Sequence, residues 1–231
     1  GSILAVPLMV YVVGVHSPHV AIGTSALAVA VNAATGLLQH ARAGTVRWRC
    51  GAMYAGAGIL GALAGSTLGK NFDGQQLLFL FAILMLVVGA LMLRDRRAVG
   101  TEGAQCNRRN APKVLTYGLG TGAFSGFFGI GGGFLIVPGL IASTDMLMIN
   151  AVGTSLIAVT AFGVTTAANY AFSGLVDWLL AAVFIAGGVA GGFGGTTLAR
   201  RLSGDGQLKT VFAILIFVVA LYMLWKSWTA L

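Results

Sequence analysis

The residues best placed to do chemistry in this chain are glycines. The run Gly129-Ile130-Gly131-Gly132-Gly133-Phe134-Leu135-Ile136-Val137-Pro138 sets three consecutive glycines ahead of a proline. Each glycine costs a helix interior about 1 kcal/mol relative to alanine, so helix propensity does not account for three in a row. Glycine admits positive φ and leaves the backbone N–H uncovered. In lipid such a break survives only where it is buried in protein or lines a cavity. A short helix starting just after Gly131–Gly133 turns its positive dipole end and free N–H groups toward that cavity, which is an anion site built from backbone. The competing reading is a tight helix crossing that requires small residues. Gly1-Ser2 stands in the same relation to Pro7, and the two prolines, Pro7 and Pro138, would fix the directions of the two short pieces.

Hydroxyls come next. Gly23-Thr24-Ser25 and Gly153-Thr154-Ser155 lie near the starts of two long apolar segments. Thr24, Ser25, Thr154 and Ser155 donate to an anion, hold the backbone of the broken piece, or bond back to helix carbonyls, as serine and threonine commonly do. Gln39-His40 and Asn169-Tyr170 form a polar pair at matching segment ends, suited to a substrate path or to an interface. His16 and His19 flank Pro18 and read as surface residues. Gly118, Gly122 and Gly126 are spaced by four, as are Gly61, Gly65, Gly69 and Gly187, Gly191, Gly195, which predicts close helix packing rather than chemistry. No HExxH, GxSxG, Walker A or intramembrane acidic pair occurs, so a protease or an ATP-driven pump lacks its parts. No metal or cofactor set is evident, and an enzyme is not expected.

The elements that position these residues are hydrophobic. The chain has 231 residues, 57% of them hydrophobic and 9% charged, against about 25% charged in a soluble domain. Charge-free runs of about 20 residues or more recur, each enough for one bilayer crossing. The fold class is therefore an all-α polytopic membrane protein with the lipid bilayer as its solvent. The pattern predicts helices over 20–40, 50–69, 76–93, 114–130, 150–170, 178–199 and 207–225, with short apolar pieces at 2–14 and 134–142. The net charge of +8 collects in loops rather than on an amphipathic face, which points to topology and not to nucleic acid. Cys50 opens an apolar run and Cys106 lies in a basic segment, a placement that suggests no disulfide framework.

The chain also repeats itself. Gly23-Thr24-Ser25 recurs at an offset of 130, Phe81-Ala-Ile-Leu84 recurs at Phe212-Ala-Ile-Leu215, and Pro7 matches Pro138. The expected organisation is a first membrane unit over 1–93, a basic cytoplasmic linker over 94–113, and a second unit over 114–231. The first unit is expected to lack its first helix, since nothing ahead of Gly1 matches 114–131. Loops 41–49, 94–113 and 200–209 are basic and predicted cytoplasmic, and 171–177 external. Matched loops with opposite charge bias favour inverted over parallel units. For the basic loops to share a side, 114–142 must enter the membrane and return, broken at its glycines.

The combination of GAFSGFFGIGGGFLIVPGLI (122–141), AVGTSL (151–156), SGLVDW (173–178), GGTTLARRL (194–202) and FAILIFVVALYML (212–224) resembles the TauE/SafE family of sulfite exporter-like permeases. Weaker versions occur at GSILAVPLMV (1–10), AIGTSALA (21–28) and AGTVRW (43–48). The resemblance implies a bacterial or archaeal inner-membrane permease for small anions such as sulfite or organosulfonates. The expected function is a secondary transporter. Gly1, Ser2, Gly131, Gly132 and Gly133 would form its backbone cradle, Thr24, Ser25, Thr154 and Ser155 its hydroxyls, and Gln39, His40 and Asn169 its polar path. A passive anion channel and a non-transporting scaffold are the alternatives, and oligomerisation is left open.

Overall fold

The structure, a computed structural model, describes residues 2–94, 106–107, 110–129, 132–202 and 217–226; of 2–3, 88–89, 91–94 and 193–202 it describes the backbone alone. A short helix, α1 (Ser2–Pro7), runs into a π-turn over Leu8–Val12. Then follow α2 (Pro18–Arg42), α3 (Trp48–Lys70), α4 (Gly74–Arg94), α5 (Ala111–Phe128), α6 (Gly133–Thr144), α7 (Met148–Ala171), α8 (Trp178–Leu202) and α9 (Phe217–Lys226). Among the described residues everything between these helices is turn or irregular chain, apart from a single bridge residue at Met146. Gly1, Gly131 and most of the expected basic segments 95–105 and 203–209 lie outside the described residues.

Local sequence sets the helix ends. Pro18 occupies the first turn of α2, where its missing N–H is no loss, and His40 and Arg42 place positive charge in the last turn. Pro112 opens α5 in the same way. α5 stops at Phe128 because Gly129 takes the left-handed conformation, φ +65°, and α6 starts after Gly132 at φ +66°. Helix α5 thus ends two residues earlier than the triple glycine suggests, and Gly133 already belongs to α6. α2, α3 and α7 are each long and apolar enough to cross a membrane.

Two contacts organise the bundle. α3 and α5 run parallel, with Tyr54 facing Gly118, Gly58 facing Gly122 and Ala62 facing Gly126. Gly61, Gly65 and Gly69 return the contact against the backbone of Leu119, Ala123 and Phe127. A Cβ at any of these glycines would meet main chain across the seam. Helices in lipid gain association energy from such close approach, there being no water to expel. The third spaced set differs: at Gly187 and Gly191 a Cβ would find no described atom within 4 Å. α2 and α7 run antiparallel, matching Gly23 with Tyr170, Ala30 with Gly163, Gly36 with Leu156 and His40 with Gly153. α8 meets α2 where Gly188 faces Asn32, and α3 meets α7 where Gly58 faces Phe162. α6 runs back along α5, Gly132 beside Ser125 and Gly139 beside Thr121. Thr144 therefore returns to the end of the bundle where Asn110 begins α5.

The two ends of the bundle are distinct. At the first end lie loop 43–47, the start of α3, Asn110 and Thr144; at the second lie residues 13–17, Lys70–Gly74 and loop 172–177. Side-chain polarity is distributed as in a membrane protein. Thr24, Ser25, Ser66, Ser125, Thr154 and Thr166 are buried, while Leu60, Phe124, Val164 and Leu179 are exposed. Trp48 at the first end and Trp178 at the second are also exposed, each at the head of its helix, as interfacial aromatics are.

Cys50 and Cys106 form a disulfide, with Cα atoms 5.3 Å apart. This overturns the expectation of no disulfide. The two residues are 56 apart in sequence. The parallel α3·α5 seam brings both helix starts to one end, and the segment ahead of α5 follows.

Candidate functional site

The backbone break is the first component. Gly129 packs on Ile22 of α2, and the Ser25 hydroxyl donates to its carbonyl at 3.4 Å. The chain that forms the break is thus held by the helix carrying the first Gly-Thr-Ser. The first N–H groups of α6 to bond within the helix are Leu135 and Ile136, both onto the Gly132 carbonyl. Those of Gly133 and Phe134 precede them, and helix-starting N–H groups have no intrahelical acceptor. The Ser125 side chain lies against Gly132; Ser125 is fully buried and its Oγ has no partner among the described residues. Ile22 is only four residues into α2, about 6 Å along its axis, and Gly69, in the last turn of α3, abuts Phe127. The break consequently sits toward the second end rather than at mid-depth, where a cradle shared by two symmetric halves would be expected.

The two Gly-Thr-Ser motifs serve the scaffold in the same manner at opposite ends. The Asp177 N–H donates to Thr24 Oγ1 at 3.0 Å, and the Arg47 N–H donates to Thr154 Oγ1 at 2.9 Å. Residues 24 and 154 differ by 130, and so do 47 and 177. Gly23 lies against Leu175 and Tyr170, and Gly153 against Thr45 and His40, again 130 apart. Each motif thus takes the loop after the opposing helix. Ser25 and Ser155 bond back to the carbonyls of Ile22 and Val152 at 3.0 and 2.8 Å.

The candidate residues therefore fall into two groups. Thr24, Ser25, Gly132, Gly133 and Asn169 gather toward the second end. Thr154, Ser155, Gln39 and His40 gather at the first, about 24 Å away for the 16 residues from Thr24 to His40. Gln39 is exposed, and His40 Nδ1 bonds the Thr45 hydroxyl at 2.8 Å. Pro7 ends the α-helical part of α1, and Pro138 lies inside α6. His19 is a correction. It turns inward, its ring centroid 6.5 Å from that of Tyr170, with a buried Nδ1 that has no partner among the described residues; His16 is exposed.

One residue carries no signal in the sequence. Lys70 ends α3 and reaches α7, donating to Asn169 Oδ1 at 2.9 Å, the Asn169 carbonyl at 3.3 Å and Ser173 Oγ at 3.0 Å. Asn169 in turn donates to Ser66 Oγ at 2.6 Å and Thr67 Oγ1 at 3.1 Å. In a linear chain, a cation at the end of an apolar segment speaks only of topology. At the first end a polar cavity of about 310 Å³ is lined by Asn107, Asn110, Lys113, Ser143, Thr144 and Asp145.

The family described as Sulfite exporter TauE/SafE matches residues 1–223. A protein of Xylella fastidiosa (strain Temecula1) named "Probable membrane transporter protein" is 53% identical over the whole chain and 89% of its own length. "Probable membrane transporter protein YdhB" of Bacillus subtilis is 27% identical over 81% of the chain and 78% of its own length. No solved structure matches.

Proposed function

The chain belongs to the sulfite exporter TauE/SafE family and is a multi-pass membrane transporter, and from this premise we propose that it carries a small anion, sulfite or a related sulfur oxyanion or sulfonate, as a secondary transporter of a prokaryotic cytoplasmic membrane. The observation that supports this best is the interruption Gly129–Gly132. It exposes the head of α6 beside the unpartnered Ser125 hydroxyl and is braced by Ile22 and Ser25 across the bundle. A break of this kind in lipid calls for a cavity, and helix-starting N–H groups favour an anion in it. Gly132 and Gly133 then present backbone donors, while Gly131, expected beside them, lies outside the described residues. Thr24 and Thr154 hold the loops that frame the two mouths, with Gln39, His40 and Asn169 near those mouths.

The same reading takes 1–93 and 114–231 as two units inverted about an axis in the membrane plane. Its support is the antiparallel α2·α7 pair and the hydrogen bonds that repeat at an offset of 130. Inverted units with broken helices are a common plan for alternating access. The basic first end, with Arg42, Arg47 and Arg49, is then cytoplasmic and loop 172–177 external.

Counterflow in proteoliposomes tests the reading with sulfite, thiosulfate, sulfate and methanesulfonate. A carrier exchanges labelled sulfite faster when unlabelled anion is trapped inside. Flux that follows an imposed voltage without such exchange identifies a channel, and no flux at all identifies a scaffold.

A further inference from the structure

We propose that Lys70, with Asn169, Ser66 and Ser173, is an oxyanion-recognition site at the second mouth of the transport path, an inference that rests on the transporter reading above. The ordinary account of a lysine in the last turn of a helix is a cap. It answers the helix dipole and, here, bonds a carbonyl of the neighbouring helix. Three observations go further than a cap requires.

First, among the described residues no carboxylate answers the charge. All three acceptors of Lys70 are neutral, a carboxamide oxygen, a carbonyl and a hydroxyl. Lys70 is only partly exposed, and a cation in that setting gains more from an anion than from neutral dipoles, since charge-assisted bonds are roughly twice as strong. An arriving oxyanion replaces the Asn169 oxygen and the Ser173 hydroxyl on Nζ. The freed Ser173 hydroxyl turns to donate to it, while the Asn169 amide, fixed by Ser66 and Thr67, stays in place.

Second, the route inward carries unsatisfied donors. Nζ stands 5.9 Å from the centroid of the Tyr170 ring. The Tyr170 hydroxyl is buried and without a partner among the described residues, and so is Thr166 Oγ1, one turn deeper on α7. Residues four apart share a helix face. A hydroxyl that neither donates nor accepts costs free energy in a low-dielectric interior, and an oxyanion offers acceptors to both.

Third, the constellation is written twice. Gly65-Ser66-Thr67-Leu68-Gly69-Lys70 recurs as Gly195-Thr196-Thr197-Leu198-Ala199-Arg200, and Asn169 stands 130 from Gln39. Two hydroxyls, one cation and one carboxamide thus occur in both units. A cap needs only the cation. The full set matches a small anion with several acceptor oxygens and a negative charge, the chemistry shared by sulfite and the sulfonates.

Sulfite counterflow in proteoliposomes decides it, on wild type, Lys70→Gln, Lys70→Arg and Asn169→Asp, with thermal melting of each protein in detergent. Lys70→Gln is expected to raise the KM for sulfite about tenfold or more, with kcat changed much less, and Lys70→Arg to restore most of it. Asn169→Asp is the discriminating variant, because it places a carboxylate where the amide oxygen contacts Nζ. It neutralises the site and is expected to lose sulfite affinity as Lys70→Gln does, while melting no lower than wild type. If Asn169→Asp or Lys70→Gln transports with wild-type KM, the site is only a cap and the inference is overturned. It is overturned equally if activity in the variants falls only in step with melting temperature. Wild-type protein without sulfite counterflow removes the transporter reading and this inference with it; an active wild type with indifferent variants removes this inference alone.

Discussion

The two ends of the α2·α7 pair are built alike and equipped differently. At both, a threonine of a Gly-Thr-Ser motif receives the N–H of the residue before the next helix, Arg47 onto Thr154 and Asp177 onto Thr24. At the first end the neighbouring ring, His40, is satisfied by Thr45 at 2.8 Å, and Cys50–Cys106 fastens the segment ahead of α5 beside it. At the second end the matching ring is Tyr170, whose hydroxyl has no partner among the described residues, and Lys70 stands over it. Position 180, which matches Cys50, is leucine. The threonines are thus scaffold, kept wherever a loop must be docked. The proposed recognition site lies in what differs around them. The rings differ in hydrogen bonding, His40 being satisfied and the Tyr170 hydroxyl not, although the first end also keeps one buried unpartnered donor among the described residues, Arg47 Nε.

The sharpest way to break this likeness is at its two matched glycines. A Cβ at Gly23 would run into the Leu175 carbonyl oxygen and lie 2.8 Å from Tyr170 Cβ, while at Gly153 it would meet Thr45 Oγ1 at 2.9 Å and His40 Nδ1 at 3.0 Å. Main chain cannot step aside, whereas the tips of Thr45 and His40 can, and the Thr45 carbonyl oxygen, at 3.2 Å, is met less closely than that of Leu175. Gly23→Ala should therefore cost about 3 kcal/mol and Gly153→Ala about 1 kcal/mol, within the range for overpacked interiors. Melting of the two variants in one detergent checks the order. Equal losses would mean that the two loops are held equally rigidly.

The disulfide sharpens the contrast from the other side. It crosslinks only the first end, which carries Arg42, Arg47, Arg49 and Lys113. Basic loops stay cytoplasmic, and cytoplasmic thiols are kept reduced. With the proposed orientation, Cys50 and Cys106 are reduced in growing cells and join once the purified protein is oxidised. Joining stabilises it by about 2 kcal/mol. Maleimide counting on acid-quenched cells should add two labels per chain. A bond already present in quenched cells would place this end outside and reverse the orientation. Cysteines introduced at Ala43 and Phe172, both exposed, in a Cys50→Ser/Cys106→Ser background should then label from opposite sides in either case.

A smaller effect is expected from the threonines themselves. Thr24→Val and Thr154→Val keep shape and remove the acceptor, leaving one part-buried N–H unpaired at each end. Each should cost about 1 kcal/mol. Because the two bonds are 3.0 and 2.9 Å long and both threonines are fully buried, the two losses should agree closely. A loss at one end alone would show that the matched bonds do unequal work.

Much of this frame was legible in the chain. The runs expected at 20–40, 50–69 and 150–170 are helices over 18–42, 48–70 and 148–171, because a lipid-crossing helix is announced by length and apolarity alone. The seam glycines of α3 and α5 were legible for the same reason, a spacing of four on one face. The end of α5 was expected two residues late, since the left-handed conformations of Gly129 and Gly132 go with packing on Ile22 and Ser125, which composition does not show. The roles of Thr24 and Thr154 were not readable, because each bonds a residue more than 100 positions away. Lys70–Asn169 and Cys50–Cys106 were hidden on the same ground. Both depend on which helices lie side by side and in which direction, and hydropathy carries no such information.

Not every glycine of the α2·α7 pair should matter. Gly36 lies one turn inward of His40, and a Cβ would meet only the Leu156 methyls, at 3.5 and 3.8 Å, ordinary van der Waals contact. Its φ is helical, so alanine adds no strain. Glycine in a helix interior is about 1 kcal/mol less favourable than alanine, partly through the freedom of the unfolded chain. In a bilayer that gain shrinks, because the unfolded reference is itself largely helical. Gly36→Ala should therefore raise the melting temperature slightly or leave it unchanged, and leave sulfite counterflow at the wild-type rate. A marked loss of transport without loss of stability would mean that α2 and α7 must slide or tilt about this point during the cycle. The path would then depend on the pair's motion as well as on its two mouths.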